Sequence, residues 1–189
     1  MRVVLMGPPG AGKGTQALVV SGVLGVPHIA TGDIFRLNIV NGTPLGTEAK
    51  SYMDAGEYVP DGLTNAMVRD RLSRDDCRPG FLLDGYPRTV EQVSELSAML
   101  RSAGEKLDRV VELTVDIDAV VARLVSRATE QGRSDDSFDV VRHRLDVYFA
   151  QTAPLTEIYD AEGLLARIDG FGTIEEVTAR ILAELGVEA

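Results

Sequence analysis

Thiols are nearly absent from this chain. Cys77 is its single cysteine in 189 residues, so no internal disulfide can form and no cysteine-rich zinc site can be assembled. Cys77 reads as a small packing residue. Long apolar runs are missing too: Arg2 precedes only Val3, Val4, Leu5 and Met6 before Gly7 interrupts, too little for a signal peptide or a membrane span, so a cytosolic protein is expected. Positive charge is in deficit. With 19 Lys and Arg against 29 Asp and Glu the net charge is −10, which disfavours general attraction to nucleic acid or to an anionic membrane. Lysine is the scarcest charge, since 16 of the 19 basic residues are arginine, and Arg123, Arg127, Arg133, Arg142 and Arg144 crowd into one stretch. Arginine offers a planar fork of donors suited to phosphate oxygens. The stretch reads either as a local site for a small, highly charged anion or as surface arginines paired with Asp135, Asp136, Asp139 and Asp146. Composition alone favours the second.

What is present is the composition of an ordinary globular protein, 44% hydrophobic and 25% charged. Short apolar runs at Val3 to Met6, His28 to Ala30, Phe81 to Leu83, Val110 to Val115 and Leu164 to Ile168 alternate with longer amphipathic segments. Strand and helix in alternation predict an α/β fold in three layers, a parallel five-stranded sheet with helices on both faces. Thr173 with Glu176 predicts a capping box opening the last helix, and Gly25, Gly42, Gly56, Gly104 and Gly186 stand where helices would stop. Two stretches depart from the alternation. Residues 30–59 hold two short helical segments split around Gly42-Thr43-Pro44, and the polar stretch 127–137 lies between helices starting near Ile117 and Phe138. Both read as mobile flaps on one core that comprises 1–29, 60–126 and 138–189.

Gly7-Pro8-Pro9-Gly10-Ala11-Gly12-Lys13-Gly14-Thr15 follows the first strand and opens a helix, the context a phosphate-binding P-loop requires. Its glycines let successive N–H groups turn inward, and the helix adds its positive N-terminal end. Lys13 is placed to reach β and γ phosphates, and Gly10, Ala11, Gly12 and Gly14 to cradle them. Gly14 follows Lys13 where the strict pattern has a hydroxyl, so magnesium ligation is assigned to Thr15. Asp84 ends an apolar run and resembles a Walker B acid, delivered beside the P-loop by a buried parallel strand.

Beyond the P-loop, Thr31-Gly32-Asp33-Ile34-Phe35-Arg36, Gly56-Glu57-Tyr58-Val59-Pro60, Leu83-Asp84-Gly85-Tyr86-Pro87-Arg88, Glu91-Gln92 and Thr152-Ala153-Pro154-Leu155 come in an order and spacing that resemble the adenylate kinases. The resemblance spans nearly the whole chain. It implies a P-loop NTPase-type fold in which 30–59 is an AMP-binding insertion and 127–137 a short lid. It also implies reversible phosphoryl transfer from Mg-ATP to AMP, giving two ADP, by a cytoplasmic monomer. Arg36 and Arg88 would clamp the AMP phosphate, while Thr31, Glu57, Tyr58, Val59, Gly85, Tyr86, Pro87 and Gln92 line the rest of that site. Arg123, Arg127, Arg133 and Arg144 would be lid or hinge arginines, with Arg133 and Arg144 also reaching AMP, and Gly172 would stand near the ATP adenine. Gln92 suits an adenine edge with its donor and acceptor, yet it also stands three residues after Thr89, as the second half of a capping box would. Long-lid members carry a larger lid, often with a four-cysteine zinc knot, which this chain lacks, so magnesium and no zinc is expected. Relative to the shortest lids, residues 128–131 are extra.

The acceptor implied is a phosphate oxygen, already anionic near neutral pH because the second phosphate pKa is about 6. No general base is then needed, and neither His28 nor His143 is placed like one. A kinase for UMP or CMP on the same core, or a P-loop regulator without transfer activity, are the competing readings. A second phosphate clamp at Arg36 and Arg88 speaks against the regulator.

Overall fold

The computed structural model describes residues 1–118, 120, 121, 124 and 138–187. Five strands, β1 (Arg2–Met6), β2 (His28–Ala30), β3 (Phe81–Asp84), β4 (Arg109–Thr114) and β5 (Leu165–Asp169), form one parallel sheet in the order β2-β3-β1-β4-β5. Parallel strands covered on both faces are apolar throughout, and β1 shows why the runs are continuous. Val3 and Leu5 pack on one face of the sheet, Val4 and Met6 on the other.

The first face is covered by α1 (Lys13–Leu24) and α8 (Ile174–Glu184), the last helix. Gln16, buried between them, donates to the Ile174 carbonyl at 3.1 Å and accepts from Thr178 Oγ1 at 2.7 Å, which ties the start of α8 to the P-loop helix. The predicted capping box is present: Thr173 Oγ1 accepts from Glu176 N, and the Glu176 carboxylate accepts from Thr173 N. The opposite face is covered by α4 (Asp61–Leu72), α5 (Val90–Ser102) and α7 (Leu155–Ala161), around Phe81, Leu83, Val93, Leu96, Leu155 and Tyr159.

The segment between β2 and α4 forms a helical hairpin, α2 (Thr31–Val40) and α3 (Pro44–Ala55). Thr43 caps α3 by accepting from Gly46 N, with Pro44 at the first helical position, as its sequence predicts. Gly46 lets the two helices approach closely, since a Cβ there would lie 2.2 Å from the Asn38 carbonyl oxygen. The hairpin has its own small core of Phe35, Ala49 and Val59. After the second departure from the alternation, α6 (Phe138–Val147) runs into a π-helical turn at Tyr148–Thr152, where Ala153 N–H bonds to the Tyr148 carbonyl five residues back at 2.9 Å. The stretch 127–137 expected to form a lid, and Arg123 before it, lie outside the described residues. Among the described residues no helix is long and apolar enough to cross a membrane.

Candidate active site

The strand order decides where the chemistry sits. β3 lies directly beside β1, with Leu5 in register with Asp84, so Asp84 emerges at the carboxyl edge next to residues 7–12. Those residues wrap tightly, with Ala11 N–H bonded to the Pro8 carbonyl at 3.1 Å and Gly10 and Gly12 at φ 82° and 89°. Gly12 brings no side chain to cap α1, leaving its N-terminal end to a ligand. Lys13 folds back so that Nζ donates to the carbonyls of Gly7 at 2.8 Å and Pro8 at 2.9 Å. The methyl of Ala11 belongs to the core, so Ala11 can serve a phosphate only through its backbone.

Asp84 is largely buried, with 14% of its side chain exposed. Its Oδ2 lies 3.7 Å from His28 Nε2, an ion-pair distance and too long for a good hydrogen bond. Burial by itself pushes this carboxyl upward. The polar pull of His28 and the charges of Lys13, His28 and Arg88 outweigh it, and the pKa ends below the ordinary carboxylate range. An ionised carboxylate therefore stands beside the first turn of α1, where a Cβ on Gly14 would lie 3.6 Å from Oδ2. Thr15 lines the same cavity. Two oxygen donors of this kind, completed by substrate phosphates and water, fit magnesium.

Two cavities meet at this edge. One runs along the P-loop past Thr15, His28 and Asp84; the other lies under the α2–α3 hairpin, between Thr31, Phe35, Glu57, Tyr58, Val59 and Gln92. Lys13, Arg36, Arg88 and Arg144 line both, so four cationic side chains stand where the cavities join. Arg36 carries an ion pair to Asp33 at 2.6 Å, one turn earlier on α2. The Arg88 guanidinium lies over the Tyr58 ring, 4.9 Å from its centroid. Gly85 sits at φ 79°, where any other side chain would be strained, and a Cβ there would also lie 2.9 Å from Arg88 Nη2 and Thr31 Oγ1. Thr31 Oγ1 donates to the Gly85 carbonyl at 2.9 Å, holding the end of β2 to the loop after β3. Arg144 reaches the junction from α6, which packs on Gly56 while His143 Nε2 meets Glu57 Oε1 at 2.5 Å.

Two residues singled out in the sequence, Tyr86 and Gly172, line neither cavity. Tyr86 is 1% exposed, packs in the core under α4 and α5, and donates to Asn65 Oδ1 at 2.8 Å. Its side chain is structural, and Tyr86 lines neither cavity although its neighbours Gly85 and Pro87 line the second. Gly172 lines neither cavity and sits just before the α8 cap, with a hypothetical Cβ 2.5 Å from Glu176 Oε2. Gln92, 1% exposed, lines the second cavity but is already engaged. Its Oε1 accepts from Arg88 N at 2.7 Å and its Nε2 donates to Asp61 Oδ1 at 2.6 Å. The side chain thus reaches one residue beyond the capping-box partner, while Thr89 Oγ1 accepts from Gln92 N at 3.2 Å as the cap. An amide has a second N–H and a second lone pair, so Gln92 retains one of each. Arg123, Arg127 and Arg133 are outside the described residues.

The sequence reading assigned no individual role to Thr152 or to the pairing of His28 with Asp84. Thr152 belonged to a quoted motif, but nothing local in Thr-Ala-Pro-Leu says that its hydroxyl meets Tyr58 and Arg88, 94 and 64 residues away.

Comparison with known proteins supplies the deciding observation. A family model described as adenylate kinase matches residues 5–164. Curated adenylate kinases of Nocardioides sp., Renibacterium salmoninarum and Thermobifida fusca are 59%, 57% and 56% identical over 99%, 100% and 98% of this chain, in each case covering 98% of the relative. The chain belongs to the adenylate kinase family. The matched span holds the P-loop, the hairpin and all four cations of the junction. The stretch with Gly172 and α8 lies beyond it but within the near-complete overlap with these relatives.

Proposed function

We propose that this enzyme, an ATP:AMP phosphotransferase, binds ATP along the P-loop cavity and AMP in the cavity under the α2–α3 hairpin, and that transfer takes place at the cationic junction between them. The observation that carries this reading is the sharing of Lys13, Arg36, Arg88 and Arg144 by both cavities. Two nucleotides entering from opposite sides with their phosphates foremost bring their highest negative charge to that point.

An AMP phosphate oxygen forms a bond to the γ-phosphorus of ATP while the bond to the β,γ-bridging oxygen breaks, and the electron pair leaves on the β-phosphate. No proton has to move in the transfer itself. The chain's task is positioning and charge neutralisation. Backbone N–H groups from Gly10 to Thr15 and the end of α1 hold the β-phosphate, and Lys13 swings from its two carbonyl partners to the transferred group. Arg36 and Arg88 hold the AMP phosphate, and Arg144 covers the junction. The hairpin walls of Thr31 and Glu57 to Val59, with Gly85, Pro87 and Gln92, surround the rest of AMP. Thr15 and Asp84 would hold magnesium, in part through water, and a cation held there would offset the charge of the ATP phosphates. Arg127 and Arg133 from the lid at 127–137, with Arg123 from the core beside its hinge, would complete the cover, and closure would keep water from the phosphoryl group. Gly172 lines neither cavity, so its assignment to the ATP adenine requires the base to extend past the P-loop cavity toward the start of α8. The lid segment contains no cysteine, and we assign it no zinc. We further take the enzyme to be a cytoplasmic monomer that binds neither nucleic acid nor membrane.

A coupled assay with Mg-ATP and each of AMP, GMP, CMP and UMP tests the reading. AMP is expected as the preferred acceptor. Equal or better turnover with UMP or CMP would overturn the assignment of the second cavity to AMP.

A further inference from the structure

We propose that Tyr58 and Thr152 are positioning residues that hold Arg88 in the aim required by an acceptor phosphate, through a hydroxyl-to-hydroxyl tie across the second cavity. The inference rests on the reading of Arg88 given above and adds to it the device that orients this arginine.

Tyr58 OH lies 2.7 Å from Thr152 Oγ1, and Thr152 Oγ1 lies 2.9 Å from the Arg88 carbonyl oxygen. A carbonyl only accepts, and a threonine hydroxyl has a single proton. That proton goes to Arg88, so the Tyr58 hydroxyl must donate to Thr152. The order is therefore Tyr58 to Thr152 to Arg88. The same tyrosine presents its ring to the Arg88 guanidinium at 4.9 Å. Arg88 N–H is meanwhile bonded to Gln92 Oε1 at 2.7 Å. Backbone on both sides and side-chain tip are thus all held, and Tyr58 together with Thr152 supplies the hold on carbonyl and tip. An arginine otherwise keeps much rotamer freedom, which must be lost when a phosphate binds. Restricting it beforehand improves affinity for the group it faces.

The placement of both partners is specific. Thr152 is 5% exposed and ends the π-helical turn. Tyr58 comes from the segment that follows the α2–α3 hairpin, so the tie joins that insertion to the core with Arg88 between them. A leucine or phenylalanine at 58 would occupy space but could not complete the chain of donors.

The test uses Tyr58→Phe, Thr152→Val, the double variant and Thr152→Ser, with KM measured for AMP and for ATP. Each single variant is expected to raise the AMP KM roughly five- to tenfold while the ATP KM stays within about twofold. The double variant should be no worse than the poorer single one, because both remove the same tie. Thr152→Ser keeps the hydroxyl and should return the AMP KM to within about twofold of the parent. Additive singles, a parallel rise in both KM values, or failure of serine to rescue would overturn the proposal. A second measurement does not depend on turnover. The Arg88 Nε–H NMR signal, identified by its disappearance in Arg88→Lys, should be displaced by the Tyr58 ring current and move toward the position of an unrestrained arginine in Thr152→Val. An unmoved signal overturns the tie. If Arg88→Lys leaves the AMP KM untouched, the reading of Arg88 fails, and the NMR signal still decides whether Thr152 and Tyr58 position it.

Discussion

Replacing Gln92 by leucine disturbs a network whose members are all identified. Leucine fills a similar volume, so the loss is polar. Two groups lose a partner: Arg88 N–H, bonded to Oε1 at 2.7 Å, and Asp61 Oδ1, bonded to Nε2 at 2.6 Å. The Arg88 N–H sits beside a side chain that is 1% exposed, so water cannot readily replace the amide, at a cost of about 1 to 2 kcal/mol. Asp61 is half-buried and keeps Thr89 Oγ1 at 2.8 Å on its other oxygen, which limits its share to about 0.5 to 1 kcal/mol. Together roughly 2 kcal/mol of stability should go, a fall in Tm of roughly 4 to 8 °C for a chain of this size. The AMP constant should rise roughly tenfold as well, since Gln92 lines the second cavity and the leucine also removes its remaining donor and acceptor, while the ATP constant should hardly move. Differential scanning fluorimetry and steady-state kinetics on the same preparation measure both. A helix-capping role alone would give a drop of about 1 kcal/mol or less with both constants unchanged. An unchanged AMP constant would therefore remove Gln92 from the substrate site, and an unchanged Tm would refute the network.

Lys13→Met should lower kcat at least about a hundredfold while circular dichroism shows a folded protein, because the positive charge serves the migrating phosphoryl group; near-normal turnover would sink the P-loop assignment. Glu112, on β4, has its pKa raised by burial, only partly offset by Arg167 at 3.4 Å. A carboxyl that binds its proton more tightly when folded favours folding at low pH, and that contribution fades as pH rises above its ordinary value of 4.5. Glu112→Gln should then raise Tm at pH 7, with the gain vanishing toward pH 4; a constant or inverted difference would contradict the burial argument. Metal analysis of purified enzyme should find no tightly held zinc, and EDTA should abolish activity without lowering Tm; stoichiometric zinc whose removal melts the protein would show that the lid has been misread.

What the sequence by itself determined is local. A P-loop is a strand, a glycine-spaced turn and a helix start in one run of residues, so its backbone geometry and its chemistry are written together. The same holds for the capping box of Thr173 and Glu176 and for the Thr43-Pro44 start of α3, where partners are three residues apart or fewer. Alternating apolar runs announced a sheet with two covered faces, and Val3 to Met6 divide between those faces as β geometry requires. Tertiary structure alone decided which distant residues meet. Nothing along the chain specifies the order β2-β3-β1-β4-β5, yet that order brings Asp84 beside the P-loop and within 3.7 Å of His28. Tyr86 lies inside a run whose neighbours Gly85, Pro87 and Arg88 line the cavity, and periodicity could not show that its ring turns to the core. Gln92 was open between two roles because a helix start and a binding edge use the same donor and acceptor; folding added Asp61, 31 residues away, and joined the roles. Thr152, Tyr58 and Arg88 converge from three separate segments. Side-chain propensity acts over a turn or two of chain, whereas such convergence is set by how helices pack on the finished sheet.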